Sequence, residues 1–169
     1  PEQFFEVERS AIRQAVDVPV AASNRINDPY LAEWFLQHNV SDLVCIGRAL
    51  IADPAFPEKA KDERMDEIRP CVACSQGCTD ELFNGRPVSC IGNARAGFEA
   101  QRQIQVTKSP KRVMIAGAGP AGLEAAVTAA RAGHRVEVYD RAKDIGGQIF
   151  IAAAPPHKGE LLEFVRYYR

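Results

Sequence analysis

The run from Lys111 to Asp140 limits the fold of this chain more than any other stretch. An apolar strand, Val113 to Ala116, leads directly into Gly117, Gly119 and Gly122. An alanine-rich segment through Leu123 to Arg131 follows, composed of good helix formers. Gly133 stands where a helix C-terminus favours glycine. A second strand, Arg135 to Tyr139, then closes on Asp140. Strand, glycine turn, helix, strand and acidic residue in this order predict the opening of a dinucleotide-binding α/β domain. Gly117 makes the tight turn, Gly119 leaves room for a pyrophosphate, and Gly122 lets the helix pack on the strand. The helix N-terminus offers free N–H groups and a positive dipole end to phosphate. Asp140 stands where a carboxylate accepts hydrogen bonds from the adenosine ribose. A glycine-rich turn in an unrelated α/β domain is the bland alternative, and the full context argues against it.

Upstream lie Cys71, Cys74, Cys78 and Cys90, spaced C-x2-C-x3-C-x11-C. Thiolates that cluster early, with a fourth arriving from beyond a loop, suit an iron–sulfur cluster. A structural zinc site takes the same four thiolates in a tetrahedron. Zinc sites more often repeat a second close pair, which this spacing lacks. Disulfides are the third alternative, weakened because the N-terminus has no secretory signal. Gly77 reads as a point of close backbone approach to a cluster, with Pro70 and Pro87 stiffening the entries. The fifth cysteine, Cys45, lies in the apolar run Leu43 to Ile46 and reads as a small core residue of a buried strand.

The chain of 169 residues carries a net charge of −1, so nothing electrostatic favours nucleic acid or an anionic membrane. No apolar stretch approaches the length of a membrane span. Asn39-Val-Ser41 matches a glycosylation sequon, but thiolate ligands imply a reducing compartment in which it goes unused. The expected location is the cytoplasm.

Three unequal parts follow one another. Residues 1–69 alternate helix and strand: an amphipathic stretch from Phe4 to Val16, a strand Val18 to Ala22, and a loop through Asn24-Arg25-Ile26. Asn27-Asp28-Pro29 starts a helix, with a capping residue and a proline in the first turn, that runs to about His38. The strand Leu43 to Ile46 comes next, and Gly47-Arg48 leads into another helix. Tandem βα units imply parallel strands with right-handed crossovers. Two such strands do not make a sheet covered on both faces, so this part is expected to belong to something larger. Residues 70–108 are irregular and hold the four spaced cysteines, and residues 109–169 open a doubly wound domain ending in a helix from Gly159 to Tyr168. The sequence starts without methionine and reads as an internal piece of a longer polypeptide. In isolation it is expected to be poorly soluble, with few contacts between its first and last parts.

Several stretches carry a family resemblance: Val18-Pro-Val-Ala-Ala-Ser-Asn-Arg-Ile-Asn-Asp-Pro29, Gly47-Arg-Ala-Leu-Ile-Ala-Asp-Pro54 and Ile68-Arg-Pro-Cys-Val-Ala-Cys-Ser-Gln-Gly-Cys78. Val88-Ser-Cys90 with Asn93, Gly117 to Gly122, and Gly146-Gly147-Gln148 continue it. Together they resemble the iron–sulfur flavoenzymes related to 2,4-dienoyl-CoA reductase and trimethylamine dehydrogenase, a branch of the Old Yellow Enzyme group. The resemblance implies an α/β protein with the last two units of an FMN-binding (β/α)8 barrel over residues 1–69. A 4Fe–4S segment over 70–108 and the first part of a Rossmann-like domain for FAD or ADP over 109–169 would follow. Barrel phosphate sites form in the loops after strands seven and eight. Arg25, Gly47 and Arg48 match the family's FMN-phosphate positions. Cys71, Cys74, Cys78 and Cys90 match its cluster ligands, and Gly117, Gly119, Ala121, Gly122, Asp140, Gly147 and Gln148 its adenine-nucleotide contacts. The cysteine spacing is closer to the dienoyl-CoA reductases than to the amine dehydrogenases. Other relatives carry glycine at the position of Asn24. Gly47 and Ala49 resemble the wider flavin-oxidoreductase group, and Ser75 replaces a common asparagine.

His38, His134 and His157 stand far from any nucleophile in sequence, and no catalytic residue is assigned here. The family's acid and base lie in barrel segments upstream. The implied activity passes electrons from NAD(P)H through FAD and the cluster to FMN and then to an activated C=C bond of a small-molecule substrate. An amine dehydrogenase running electrons outward is the alternative, and a zinc-stapled nucleotide-binding adaptor without turnover is a reading of another class. The expected partners are the remainder of the polypeptide and a second copy of it, with no nucleic acid and no membrane.

Overall fold

The computed structural model describes residues 11–169 and divides into two compact units, Pro1–Ala73 and Cys74–Arg169. The division falls between the first and second of the four spaced cysteines.

In the first unit, residues 11–15 are helical, while the rest of the amphipathic stretch, Phe4 to Ser10, lies outside the described residues. The strands Ala21–Ala22 and Leu43–Val44 pair in parallel, Ala21 opposite Leu43 and Ala22 opposite Val44. Both are shorter than the apolar runs suggested. A parallel pair requires a crossover, and the helix Pro29–Gln37 supplies it. Asp28 caps that helix by accepting the Tyr30 N–H at 2.9 Å, and Pro29 occupies the first turn, where its missing N–H costs nothing. Its inner face joins Ala32 and Phe35 to Ala22, Ile26 and Val40, with Leu31, Trp34, Val44 and Ile46 packed around them. Cys45, expected as a core residue, is exposed: its N–H continues the pairing by donating to the Ala22 carbonyl at 2.7 Å, but the residue lines a cleft and not the core.

Short helices Arg48–Ala52 and Phe56–Lys61 continue the unit. Between them sits a buried ion pair, Lys59 Nζ on Asp53 Oδ2 at 2.6 Å. Lys59 also donates to the Glu67 carbonyl at 2.7 Å. Asp53 in turn accepts the backbone N–H of Ala55 at 3.1 Å and of Arg69 at 2.9 Å. A buried charge pair is tolerable only when its remaining valences are filled in this way.

In the second unit, the cysteine segment contains one short helix, Thr79–Phe83, and is otherwise irregular up to Arg112. The strands Arg112–Ala116 and Arg135–Tyr139 pair in parallel in register Arg112 to Arg135 through Ala116 to Tyr139. The twelve-residue helix Pro120–Arg131 makes the crossover, and Gly133, at φ +88°, ends it in the left-handed conformation. Met114 is 73 % exposed, so one sheet face is uncovered. The closing segment expected as one helix divides into a 3-10 turn, Gly159–Leu162, and an α-helix, Glu163–Tyr168, which buries Phe164 and Val165. No helix among the described residues is long and apolar enough to cross a membrane.

Candidate functional site

The loop after the first strand is held in an uncommon conformation. Asn24 and Arg25 both have positive φ, +78° and +54°. Asparagine reaches this region at small cost because its short amide bonds locally, whereas arginine there is uncommon. The loop brings Arg25 to the wall of a cleft of about 340 Å³ whose lining also includes Gly47, Arg48, Cys71 and Ala73. Thus Arg25 meets Gly47 and Arg48, more than twenty positions further along the sequence, at one opening. Nothing lies within 4 Å of a Cβ built on Gly47, so the backbone there is open to a ligand. Two guanidinium groups beside such a backbone suit a phosphate, which arginine grips bidentately. These residues fit the phosphate end of FMN.

The second candidate site is the glycine turn. Gly117 has φ +111°, a conformation strained for any residue with a Cβ. Its N–H donates to the Tyr139 carbonyl at 2.7 Å. Ala118 N–H donates to Asp140 Oδ2 at 2.6 Å, and the Ala118 carbonyl accepts from Gly146 N–H at 2.8 Å. The second oxygen of Asp140 accepts Ala142 N–H at 2.7 Å. Asp140 therefore braces the turn, a task its sequence position did not reveal, and each carboxylate oxygen keeps further acceptor capacity for a ribose. These bonds, that of Ala118 first and that of Ala142 second, hold its carboxyl below the usual carboxylate range. A Cβ on Gly119 would meet nothing within 4 Å, whereas one on Gly122 would be driven into the Gly117 carbonyl. Gly119 faces open space, and Gly122 seats the helix on the turn. Ala121 stands exposed in the first turn of that helix. Gly147 packs on Gly119, a Cβ built on it lying 3.1 Å from Gly119 Cα, and Gln148 is exposed beside it. The cradle fits a dinucleotide phosphate: open at Gly117 and Gly119, braced by Asp140, and next to the N-terminus of a three-turn helix.

Among the described residues the four spaced cysteines form no disulfide, and each is half-buried. Gly77 and Ser89, the neighbours of Cys78 and Cys90, are bound to one another: Ser89 N–H donates to the Gly77 carbonyl at 2.6 Å. A Cβ on Gly77 would collide with Ser89 atoms at 2.7 to 2.9 Å. The glycine expected to approach a cluster thus permits close approach of the chain carrying the fourth cysteine to that carrying the third. Reduced thiols in this number are the donor chemistry of an iron–sulfur cluster or a zinc ion. Among the described residues, no three His, Cys, Asp or Glu side chains are drawn together closely enough to hold a metal. Cys71 belongs to one compact unit and Cys74, Cys78 and Cys90 to the other.

Residues 2–67 match the NADH:flavin oxidoreductase / NADH oxidase family, and residues 115–164 match the NAD(P)-binding Rossmann-like domain. The chain is 46% identical over 156 residues to a metal reductase of Desulforamulus reducens, covering 92% of this chain and 23% of that protein. Among solved structures it is similar to 2-naphthoyl-CoA reductase in complex with 2-naphthoyl-CoA. The TM-score is 0.90 and the identity 31%, over 99% of this chain and 26% of the other. Histamine dehydrogenase of a Rhizobium species is also similar, with a TM-score of 0.89 and 25% identity over 96% of this chain and 24% of the other. The chain therefore spans about a quarter of the length of the proteins it matches. Its sequence matches and its α/β architecture agree with the resemblance carried by the motifs: residues 2–67 are similar to the NADH:flavin oxidoreductase / NADH oxidase family, residues 115–164 to the NAD(P)-binding Rossmann-like domain, and the chain as a whole resembles part of the relatives of 2,4-dienoyl-CoA reductase and trimethylamine dehydrogenase.

Proposed function

We propose that this chain is the electron-transfer middle of an iron–sulfur flavin oxidoreductase. In this reading residues 1–69 are the last two units of an FMN-binding barrel, residues 70–108 hold a 4Fe–4S cluster, and residues 109–169 begin an FAD or ADP domain. The observation that carries it is the cleft in which Arg25, Gly47 and Arg48 share a wall with Cys71. A phosphate grip and a cluster-type thiol on one wall suit transfer of electrons between a flavin and a metal centre. The arginines would anchor the FMN phosphate, and Cys71, Cys74, Cys78 and Cys90 would ligate the cluster. Gly117, Gly119, Ala121 and Gly122 would cradle the adenine nucleotide's phosphates, Asp140 its ribose, and Gly147 and Gln148 its flavin side. When bound, these groups supply hydride exchange with NAD(P)H and single-electron transfer between the flavins. The protein's own part is to fix positions and exclude water.

The preferred direction is inward, reducing an activated C=C bond of a small-molecule substrate, which the cysteine spacing and the similarity to 2-naphthoyl-CoA reductase support. The likeness to histamine dehydrogenase favours the second reading, oxidation of an amine with electrons sent outward. The full-length protein, purified without oxygen, should carry roughly four iron and four sulfide per polypeptide together with flavin. Cys74→Ser should remove the brown absorbance and block electron exchange between the flavins, while flavin reduction by artificial donors survives. Zinc in place of iron would overturn the electron-transfer reading and leave the nucleotide-binding adaptor. Turnover of an enone with NADH, against an amine with an artificial acceptor, separates the two directions.

A further inference from the structure

Resting on the reading of the cleft as an FMN-phosphate site and of Cys71 as a cluster ligand, we infer that Asn27 is a positioning residue that locks the first cysteine to the phosphate-binding loop. Asn27 lies two positions after Arg25, in the loop that enters the cleft, and is half-buried. Its Nδ2 donates to the Cys71 carbonyl at 2.7 Å across a separation of 44 residues. Both residues line the cleft. The chain reaching Cys71 is gripped a second time two residues earlier, where Arg69 N–H donates to the buried Asp53 carboxylate at 2.9 Å. That carboxylate is itself fixed by Lys59.

The two anchors act from different sides. Asp53, at the end of the helix that Arg48 opens, fixes where the segment leaves the α/β unit. Asn27 fixes where its first thiol-bearing residue sits relative to Arg25. A phosphate held by Arg25 and Arg48 and the first of the cluster's thiols, that of Cys71, would then share one frame. Only the amide nitrogen serves: a carboxylate in its place would face the carbonyl with an acceptor and no donor.

The test uses the full-length protein with Asn27→Ala and with the near-isosteric Asn27→Asp. Both should retain wild-type FMN and iron, while electron exchange between flavin and cluster, followed by rapid mixing after reduction, slows by roughly tenfold, since errors on the order of 1 Å at a reacting centre are felt steeply. The electron paramagnetic resonance spectrum of the reduced cluster should shift in both variants. Asn27→Gln, which retains the donor, should recover part of the rate. Wild-type exchange and an unchanged spectrum in the alanine and aspartate proteins would overturn the inference while leaving the cofactor reading intact. Joint loss of flavin and iron would assign Asn27 to folding of the loop and also overturn it. Absence of iron from the wild-type protein would instead remove the cluster reading itself, and this inference with it.

Discussion

Phe164 lies directly over Gly92: a Cβ built on Gly92 would stand 2.5 Å from the Phe164 ring. Gly92 is two residues beyond Cys90, and Phe164 belongs to the helix Glu163–Tyr168. The next residue of that helix, Val165, closes on Gly146, where a Cβ would stand 2.8 Å from Val165 Cγ2. One helix thus presses adjacent side chains on the loop of the fourth cysteine and on the glycine pair beside the Gly117–Gly122 turn.

Gly92→Ala is expected to destabilise the protein by about 1–3 kcal/mol, the usual range for an added methyl in a packed site. Iron content should fall more than flavin content, because the displaced loop carries Cys90. Unchanged thermal stability and full iron in this variant would contradict the contact.

Gly119 and Gly122 should respond differently to enlargement. A side chain at Gly119 enters open space at an ordinary φ of −77°, so Gly119→Val should leave thermal stability nearly unchanged and remove bound FAD or ADP. FMN and iron should remain. Gly122→Ala forces a methyl into the Gly117 carbonyl and should reduce stability as well as nucleotide content. Full adenine-nucleotide occupancy in the Gly119→Val protein would refute the cradle.

The Asp140 brace should weaken in acid. Hydrogen bonds from Ala118 and Ala142 lower its carboxyl pKa in the folded state. A group depressed on folding stabilises fully above its unfolded pKa, and that contribution is lost as pH falls through the folded value. Adenine-nucleotide retention should therefore be level near neutrality and decline below the ordinary carboxylate range. Asp140→Asn should hold the nucleotide less tightly at neutral pH and show a flatter acid profile. Superimposable profiles would show that Asp140 does not brace the turn.

Removing Lys59 should cost more than any surface charge. Lys59→Met leaves the Asp53 carboxylate buried without its partner, a loss of roughly 3–5 kcal/mol when one member of such a pair is deleted. Exposed pairs such as Arg112 with Glu137 are worth about 0–1 kcal/mol, and Arg112→Ala serves as the control. Equal melting temperatures for the two variants would show that the buried pair does not support the unit.

Much of the second unit was legible from local chemistry. The strand Arg135–Tyr139, the helix ending before Gly133 and, in the first unit, the capped start of the helix Pro29–Gln37 follow from patterns spanning a few residues. The strands Val18 to Ala22 and Leu43 to Ile46 were read too long, since an apolar run marks a buried face and not the extent of backbone pairing. Cys45 was misplaced because an apolar run does not show which of its residues faces the core and which lines a cleft. The single helix read from Gly159 to Tyr168 divides because Gly159 weakens its first turn.

The sequence by itself determined the α/β class, the glycine turn, and the order of the Asn24-Arg25 loop, the four spaced cysteines and the strand–helix–strand unit. Each of those depends on residues close together in the chain. Tertiary structure alone decided that Asn27 holds Cys71, that Asp53 with Lys59 grips Arg69, that Asp140 braces Ala118, and that Phe164 covers Gly92. Those partners are separated by up to 72 positions (Gly92 to Phe164, 164 − 92 = 72). Nothing in local propensity or hydrophobic period specifies which donor meets which acceptor. That choice is made only when burial closes the chain on itself and each buried polar group must find a partner.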